Sequence, residues 1–218
     1  MTEKKKDARV VRLDKVRLSF PTLRRKEASV PGGREKYSAS FIIDPNTPLG
    51  RKAIEDCKKA IAAAETVTFQ KAGVVKTIDD PKRVAFRPGS KFKNQEGEVY
   101  RGYEGMVGLT TTNPKTRPRL LNKERVEVEL EDIEDVFYGG CVVDAWVAFY
   151  CVKEKDQGGR GLFCSVESIR SLERGEAFGG GLNITADDYD DDDEEEEEEE
   201  DDGLGDGDGD GDDDDLLG

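Results

Sequence analysis

The residues best suited to chemistry in this chain are cations interleaved with flat rings. One group is Arg24, Arg25 and Lys26 with Arg34, Lys36, Tyr37 and Phe41. A second is Lys82, Arg83, Phe86, Arg87, Lys91, Phe92 and Lys93. Tyr100 and Tyr103 flank Arg101, and Lys115, Arg117 and Arg119 form a third basic group. Single-stranded nucleic acid is served by this mixture. Cations follow the phosphates, and rings stack on bases at roughly 1–3 kcal/mol each without demanding a sequence.

The rings divide by pattern. Phe41 and Phe86 sit in alternating stretches and read as core. Phe92 lies between two lysines in the turn-rich Arg87–Asn94 stretch, where a stacking role and a buried one fit equally. Tyr100 and Tyr103 fall in opposite phase, so at most one belongs to a core. Trp146 and Tyr150 share a strand face with Asp144. An acid there suggests a partly wet face, and Trp146 is a candidate groove residue.

Other chemistries have fewer resources. There is no histidine, which removes His-based triads, general bases and metal ligands. The four cysteines, Cys57, Cys141, Cys151 and Cys164, match no zinc spacing and read as reduced, buried, small apolar residues. No catalytic residue, metal site or cofactor is expected. Asp206, Asp208, Asp210 and Gly211 imitate the start of a calcium loop, but Leu217 stands where a bidentate Glu belongs.

Charge is divided along the chain. Residues 187–218 carry 22 acidic residues and no basic one, against 34 Lys+Arg and 49 Asp+Glu in all; residues 1–186 therefore hold 27 acids, a net charge of +7. A basic body joined to a polyanionic segment fits a protein that binds a polyanion and carries its own competitor. The acidic segment has too few apolar side chains to offset its ordering entropy, so a disordered tail is expected. Its tip, Asp212, Asp213, Asp214, Asp215, Leu216 and Leu217, could dock in an apolar pocket ringed by cations on a partner protein. No apolar run approaches the length of a membrane span, and Met1–Arg9 lacks the apolar stretch of a secretory signal. A cytoplasmic protein is expected, with no membrane partner.

The elements that must position these residues are mostly strands. Val10–Phe20 alternates with one slip of phase between Leu13 and Val16, which reads as a bulge, and Pro21 should end it. Lys36–Ile43 follows. Thr47 and Pro48 open a helix, about residues 47–65, with Ile54, Cys57, Ile61 and Ala64 at helical spacing. Further strands are expected at Val67–Gln70, Val74–Ile78, Arg83–Arg87, Val99–Tyr103, Met106–Thr112, Val126–Leu130, Cys141–Val152 and Gly161–Val166. Ser168–Gly181 reads as an exit into the tail. Short strands, Gly/Pro turns and one helix make a mainly β chain: a small β-barrel or sandwich with a helical insertion. The expected division is a charged arm at 1–9, a barrel domain at 10–180 and an acidic tail at 181–218.

Several stretches resemble a known family. Leu18-Ser19-Phe20-Pro21, Lys36–Ile43, Tyr138-Gly139-Gly140-Cys141, Gly159-Arg160-Gly161, Val166–Arg170 and Gly175-Glu176-Ala177-Phe178-Gly179 are similar to the single-stranded DNA-binding proteins of tailed bacteriophages. The resemblance spans most of residues 10–180. It implies an OB-fold, a closed or partly open barrel binding single strands across one face. It also implies a tail that recruits replication or recombination proteins.

The combined reading is a non-enzymatic protein that coats single-stranded DNA in phage replication or recombination, acting in the host-cell cytoplasm. Its expected contacts are the cations of the three groups other than Lys26, together with Arg101, Tyr37, Phe92, Tyr100, Tyr103 and Trp146. The tail would compete for the DNA groove and recruit partners, and a homo-oligomer is left open. Two alternatives are carried. One is an acidic mimic or chaperone binding basic proteins. The other is a metal-dependent nuclease using Glu104, Glu127, Glu129 or Asp132.

Overall fold

Strand β1 (Val10–Glu27) is long enough to serve two partners. Its first half pairs antiparallel with β6 (Val142–Val152) and its second half with β2 (Lys36–Ile43). In this computed structural model, which describes residues 7–28, 31–153 and 159–178, four further strands complete the sheet. They are β3 (Phe86–Pro88), β4 (Val107–Asn113), β5 (Arg119–Leu121) and β7 (Gly161–Glu173), in the order β3-β4-β2-β1-β6-β7-β5. The ends of the sheet curl toward each other. Ala85 N–H donates to the Leu162 carbonyl at 2.9 Å, and Asn113 Nδ2 donates to the Val166 carbonyl at 3.3 Å. No continuous ladder joins β4 to β7, so the result is an OB-like barrel left partly open.

The phase slip expected in β1 is a bulge between Leu13 and Val16. Lys15 has a positive φ of 50° there, and its N–H donates to Asp144 Oδ1 at 3.1 Å. Leu13 and Val16 thereby both face inward. Pro21 does not end the strand. It sits where the β1–β2 register shifts between Ser19 and Thr22, so its missing N–H removes no regular ladder bond.

The helix starts as the sequence indicates. Thr47 Oγ1 accepts the Gly50 N–H at 3.0 Å, and Pro48 occupies the first turn. It runs further than expected, over Pro48–Phe69, and Gln70 caps it in the left-handed region. The β-branched Thr66 and Val67 are carried along because Glu65 is tied down beyond the helix, accepting N–H bonds from Gly73 and Val75. Ala53, Cys57, Ala60 and Ala64 bury the face toward β1 and β6; Ile54 and Ile61 are only half-buried. Small residues at these positions let the helix lie close to the sheet.

Three other expected strands are not strands. Val74–Ile78 contains a 3-10 turn at Val75–Thr77. Val99–Tyr103 and Val126–Leu130 contribute only single bridges, Val99 to Lys93 and Glu127 to Leu121. β-branched content without a neighbour to pair with does not make a strand. Ser168 onward is not an exit. β7 continues to Glu173, and its Ser168–Arg170 stretch pairs in parallel with β5, a strand the pattern did not reveal. A second bulge, beside Trp146 and Val147, lets both Val166 and Ile169 face the core.

The core is a single inward-facing cluster built from β1, β2, β4, β6, β7 and the helix. Cys57, Cys141 and Cys164 are free thiols within it, and Cys151 is half-buried at its margin. A second, smaller cluster lies on the outer surface: Ile42, Phe92 and Tyr103, with Val99, Met106 and Phe178 packed against them. The acidic tail and its tip, Asp212–Leu217, lie outside the described residues.

Candidate nucleic-acid interface

Cross-strand register lines up a set of hydroxyls on the outer surface. Ser19 of β1 opposes Ser40 of β2, and Ser40 opposes Thr110 of β4. Thr22 opposes Ser38, and Ser38 opposes Thr112. Paired residues share a face, and so do residues two apart on one strand. Thr22, Ser38, Thr110 and Thr112 are part-exposed and form one track across β1, β2 and β4, whereas Ser19 and Ser40 are buried beside Tyr103.

Rings border both ends of the track. At one end Phe20, 51% exposed, meets Tyr100 edge-on with ring centroids 4.8 Å apart. Phe20 takes a positive φ of 46°, which swings its side chain out of the alternation. At the other end Tyr150 stacks on Phe163 at 5.8 Å, across the β6–β7 pair. The Tyr150 hydroxyl neighbours Thr112 of the track and the Arg34 guanidinium; burial is the main influence on that phenol and pushes its pKa up. The Arg83 guanidinium lies 5.4 Å from the Phe163 ring centre. Phe20, Phe163 and the hydroxyls are residues that sequence reasoning missed. Phe20 was hidden by an alternation that the strand breaks locally.

The basic hairpin and the third basic group meet at Tyr37. Lys26 Nζ and the Arg117 guanidinium lie 5.7 and 5.5 Å from its ring centre. Lys26 donates to the Lys115 carbonyl and Arg117 to the Arg24 carbonyl, so two loops distant in sequence form one cationic rim. Arg24 also pairs with Glu134, and Arg25 with Glu27. Lys36 is half-buried. Lys82, Lys91 and Lys93 are exposed, with no side-chain partner among the described residues.

Four expected contacts need correction. Phe92 is 6% exposed and stacks on Tyr103 at 4.4 Å, while Tyr103 is fully buried. Neither ring offers a face to a base. Their partner is the bare backbone of Gly108, where any Cβ would collide with the Phe92 ring. Arg87 lies over Phe92 at 4.1 Å and donates to the Pro81 and Val84 carbonyls at 3.0 and 2.7 Å. Desolvation lowers its pKa. It braces the loop instead of reaching a phosphate. Arg83 similarly donates to the Gly159 and Arg160 carbonyls at 2.6 and 2.9 Å, just ahead of β7.

Arg101 pairs with Glu176, and that pair belongs to a latch. Tyr138, Gly139 and Gly140 pack on Gly175–Phe178: Tyr138 Oη donates to the Gly175 carbonyl, Phe178 N–H donates to the Gly139 carbonyl, and Phe178 covers Gly102. Arg17 stacks on Phe178 at 4.3 Å. The latch fixes the loop that carries Tyr100.

Trp146 and Arg119 lie elsewhere, in an opening of about 530 Å³ between β1, β6, β7 and β5. Arg12, Arg125, Arg170, Asp144, Ser168 and Leu121 line it with them. Burial alone would raise the Asp144 pKa, but the Lys15 amide, Arg170 and Arg12 outweigh it and hold the carboxyl below its ordinary range. The acid beside Trp146 is therefore spent on arginines.

Comparison with known proteins places the chain in a family and a fold. The family model described as "Enterobacter phage Enc34, ssDNA-binding protein" matches residues 9–202. The protein p50 of Acyrthosiphon pisum secondary endosymbiont phage 1 is 29% identical over 186 residues, covering 83% of this chain and 92% of p50. The single-stranded DNA-binding protein from bacteriophage Enc34, solved in complex with ssDNA, is 23% identical with a TM-score of 0.63, over 82% of this chain and 97% of that one. A second structure of the single-stranded DNA-binding protein from bacteriophage Enc34 is 24% identical with a TM-score of 0.62, over 86% of this chain and 97% of that one.

Proposed function

The chain belongs to the family of the Enterobacter phage Enc34 ssDNA-binding protein, and on that premise we propose that it coats single-stranded DNA without reading its sequence. It acts during phage DNA replication or recombination, in the host-cell cytoplasm, and it does no chemistry on the strand. The observation that carries this reading is the track of part-exposed hydroxyls, Thr22, Ser38, Thr110 and Thr112, between the exposed Phe20–Tyr100 pair and the exposed Tyr150, which stacks on the half-buried Phe163. Small hydroxyl side chains let a backbone approach the sheet, the rings stack on bases, and Arg34, Lys26, Arg117 and the loop lysines track phosphates. None of these groups distinguishes one base from another.

Residues 187–218 would lie on the same cations when DNA is absent. A tethered polyanion has a high effective concentration, so it should weaken DNA binding most at low salt. DNA would release the tail tip, Asp212–Leu217, for replication or recombination proteins. In this division the barrel occupies 10–180 and the tail 181–218. The nuclease alternative needs carboxylates brought together, and among the described residues no group of three or more Asp, Glu, Cys or His surrounds one position.

A titration of fluorescent oligo(dT) with the full chain and with residues 1–186, across a salt series, tests the proposal. Tighter binding by 1–186, with the gap closing as salt rises, is expected. Binding by neither form, or equal preference for duplex, would overturn it.

A further inference from the structure

The opening at Trp146 gathers four guanidiniums, from Arg12, Arg119, Arg125 and Arg170, around one concavity with one carboxylate, Asp144, in its lining. The carboxylate is consumed: Oδ1 accepts the Lys15 N–H at 3.1 Å, and Oδ2 accepts from Arg12 Nη2 at 3.1 Å and from Arg170. Arg12 and Arg119 also pair through their Nε atoms, with Asp14 and Glu127. A guanidinium carries five N–H donors, so each retains donors after these bonds. Arg125 has no side-chain partner among the described residues. Asp14, Glu127 and Asp144 offset three of the four guanidiniums, and Arg125 leaves one net positive charge beside the indole.

That pairing of groups suits a nucleotide. Guanidiniums take phosphate oxygens two at a time, and an indole is a broad stacking surface. The opening is also continuous with the track. Trp146 and Tyr150 lie on one face of β6, four residues and about 13 Å apart at roughly 3.3 Å per residue, with only the small Ala148 between them on that face. This continuity favours nucleic acid over an acidic peptide, which the cations alone would also accept. Resting on the reading of the track as a single-strand site, we propose that the Trp146 opening is a second nucleotide-binding station. It is filled by the same strand only when that strand is long enough to pass Tyr150 and run down β6. Short strands occupy the track alone.

The test compares the full-length protein with Trp146→Ala and Arg125→Ala on oligo(dT) of about 4 to about 30 nucleotides, a range bracketing the roughly 4–16 nucleotides of one OB fold. Arg125 is exposed, so its loss leaves folding intact and backs up the Trp146 variant. The expected result is a loss of about 5–30-fold on long strands and none on the shortest. On long strands the Arg125→Ala salt slope should flatten by about 0.7, one phosphate's share. Equal loss at every length would place Trp146 in the primary track and overturn the proposal, as would no loss at any length. Binding of an oligo-aspartate peptide that both variants abolish, with DNA binding unchanged, would overturn it in favour of a peptide site. If the unmodified protein binds no oligo(dT), it is the track reading that fails.

Discussion

The Tyr138 hydroxyl and Gly175 bond to each other twice: Oη donates to the Gly175 carbonyl at 2.9 Å and accepts its N–H at 3.0 Å. The two residues are 37 positions apart, and they join the Tyr138–Gly140 turn to the segment after β7. Gly140 makes the approach possible. Its φ is +119°, and a Cβ there would run into the Glu176 carbonyl. Phe178 and Arg101 then connect this latch to the loop carrying Tyr100.

The latch predicts a graded mutational effect. Tyr138→Phe should cost about 1–2 kcal/mol, because it leaves the Gly175 N–H and carbonyl without their partner. Gly140→Ala should cost more, adding backbone strain to a steric collision. Urea unfolding of both variants checks the order; equal stability of Gly140→Ala and the unmodified chain would contradict it.

Buried and exposed rings should separate binding from stability. Tyr150→Ala and Tyr100→Ala should each weaken oligo(dT) binding by about 1–3 kcal/mol, roughly 5–150-fold, with little change in Tm. Phe92→Ala should instead cost about 3–5 kcal/mol of stability, because it empties the space between Tyr103 and Gly108. Fluorescence titration and thermal melts on the same preparations distinguish the two classes.

Asp144 should make stability acid-sensitive. Its pKa is lowered in the folded state, so its contribution is present above the unfolded value, about 3.9, and is lost as pH falls through the lower folded value. Asp144→Asn should be less stable by about 2–3 kcal/mol at pH 7, having left Arg12 and Arg170 side by side. The difference should shrink as the pH falls below about 4. Denaturant midpoints of both proteins between pH 7 and pH 3 provide the measurement.

The thiols act in the opposite direction. Burial pushes Cys57 up to about 12 and Cys141 up to about 11, and holds the Cys164 thiol well above its ordinary value. Neutral thiols are favoured by folding, so their contribution is full below the unfolded value, about 8.5, and declines as pH rises above it. At pH 8 a thiol-reactive dye should label the half-buried Cys151 first, and the other three only at the rate of unfolding. Rapid labelling of all four would show that the core is not closed around them.

What the sequence determined by itself was local or global in kind. The bulge between Leu13 and Val16 follows from a break in a two-residue period, and the helix start from Thr47 and Pro48. The opposition of a basic body and an acidic segment follows from counting charges. None of these needs a distant partner. Only the tertiary structure decided which rings reach a ligand. Alternation assigns a residue to one face of a strand but does not say what covers that face. Here the stretch from Gly89 to Met106 folds over Ile42 and Gly108, burying Phe92 and Tyr103 and leaving Tyr100 outside with Phe20. Arg87 likewise became a brace, and Asp144 a clamp for Arg12 and Arg170, because their partners come from segments far away in the chain or from a turn that tertiary packing fixes. Burial and charge pairing are set by non-local contacts, and a one-dimensional pattern records only which side chains are available to make them.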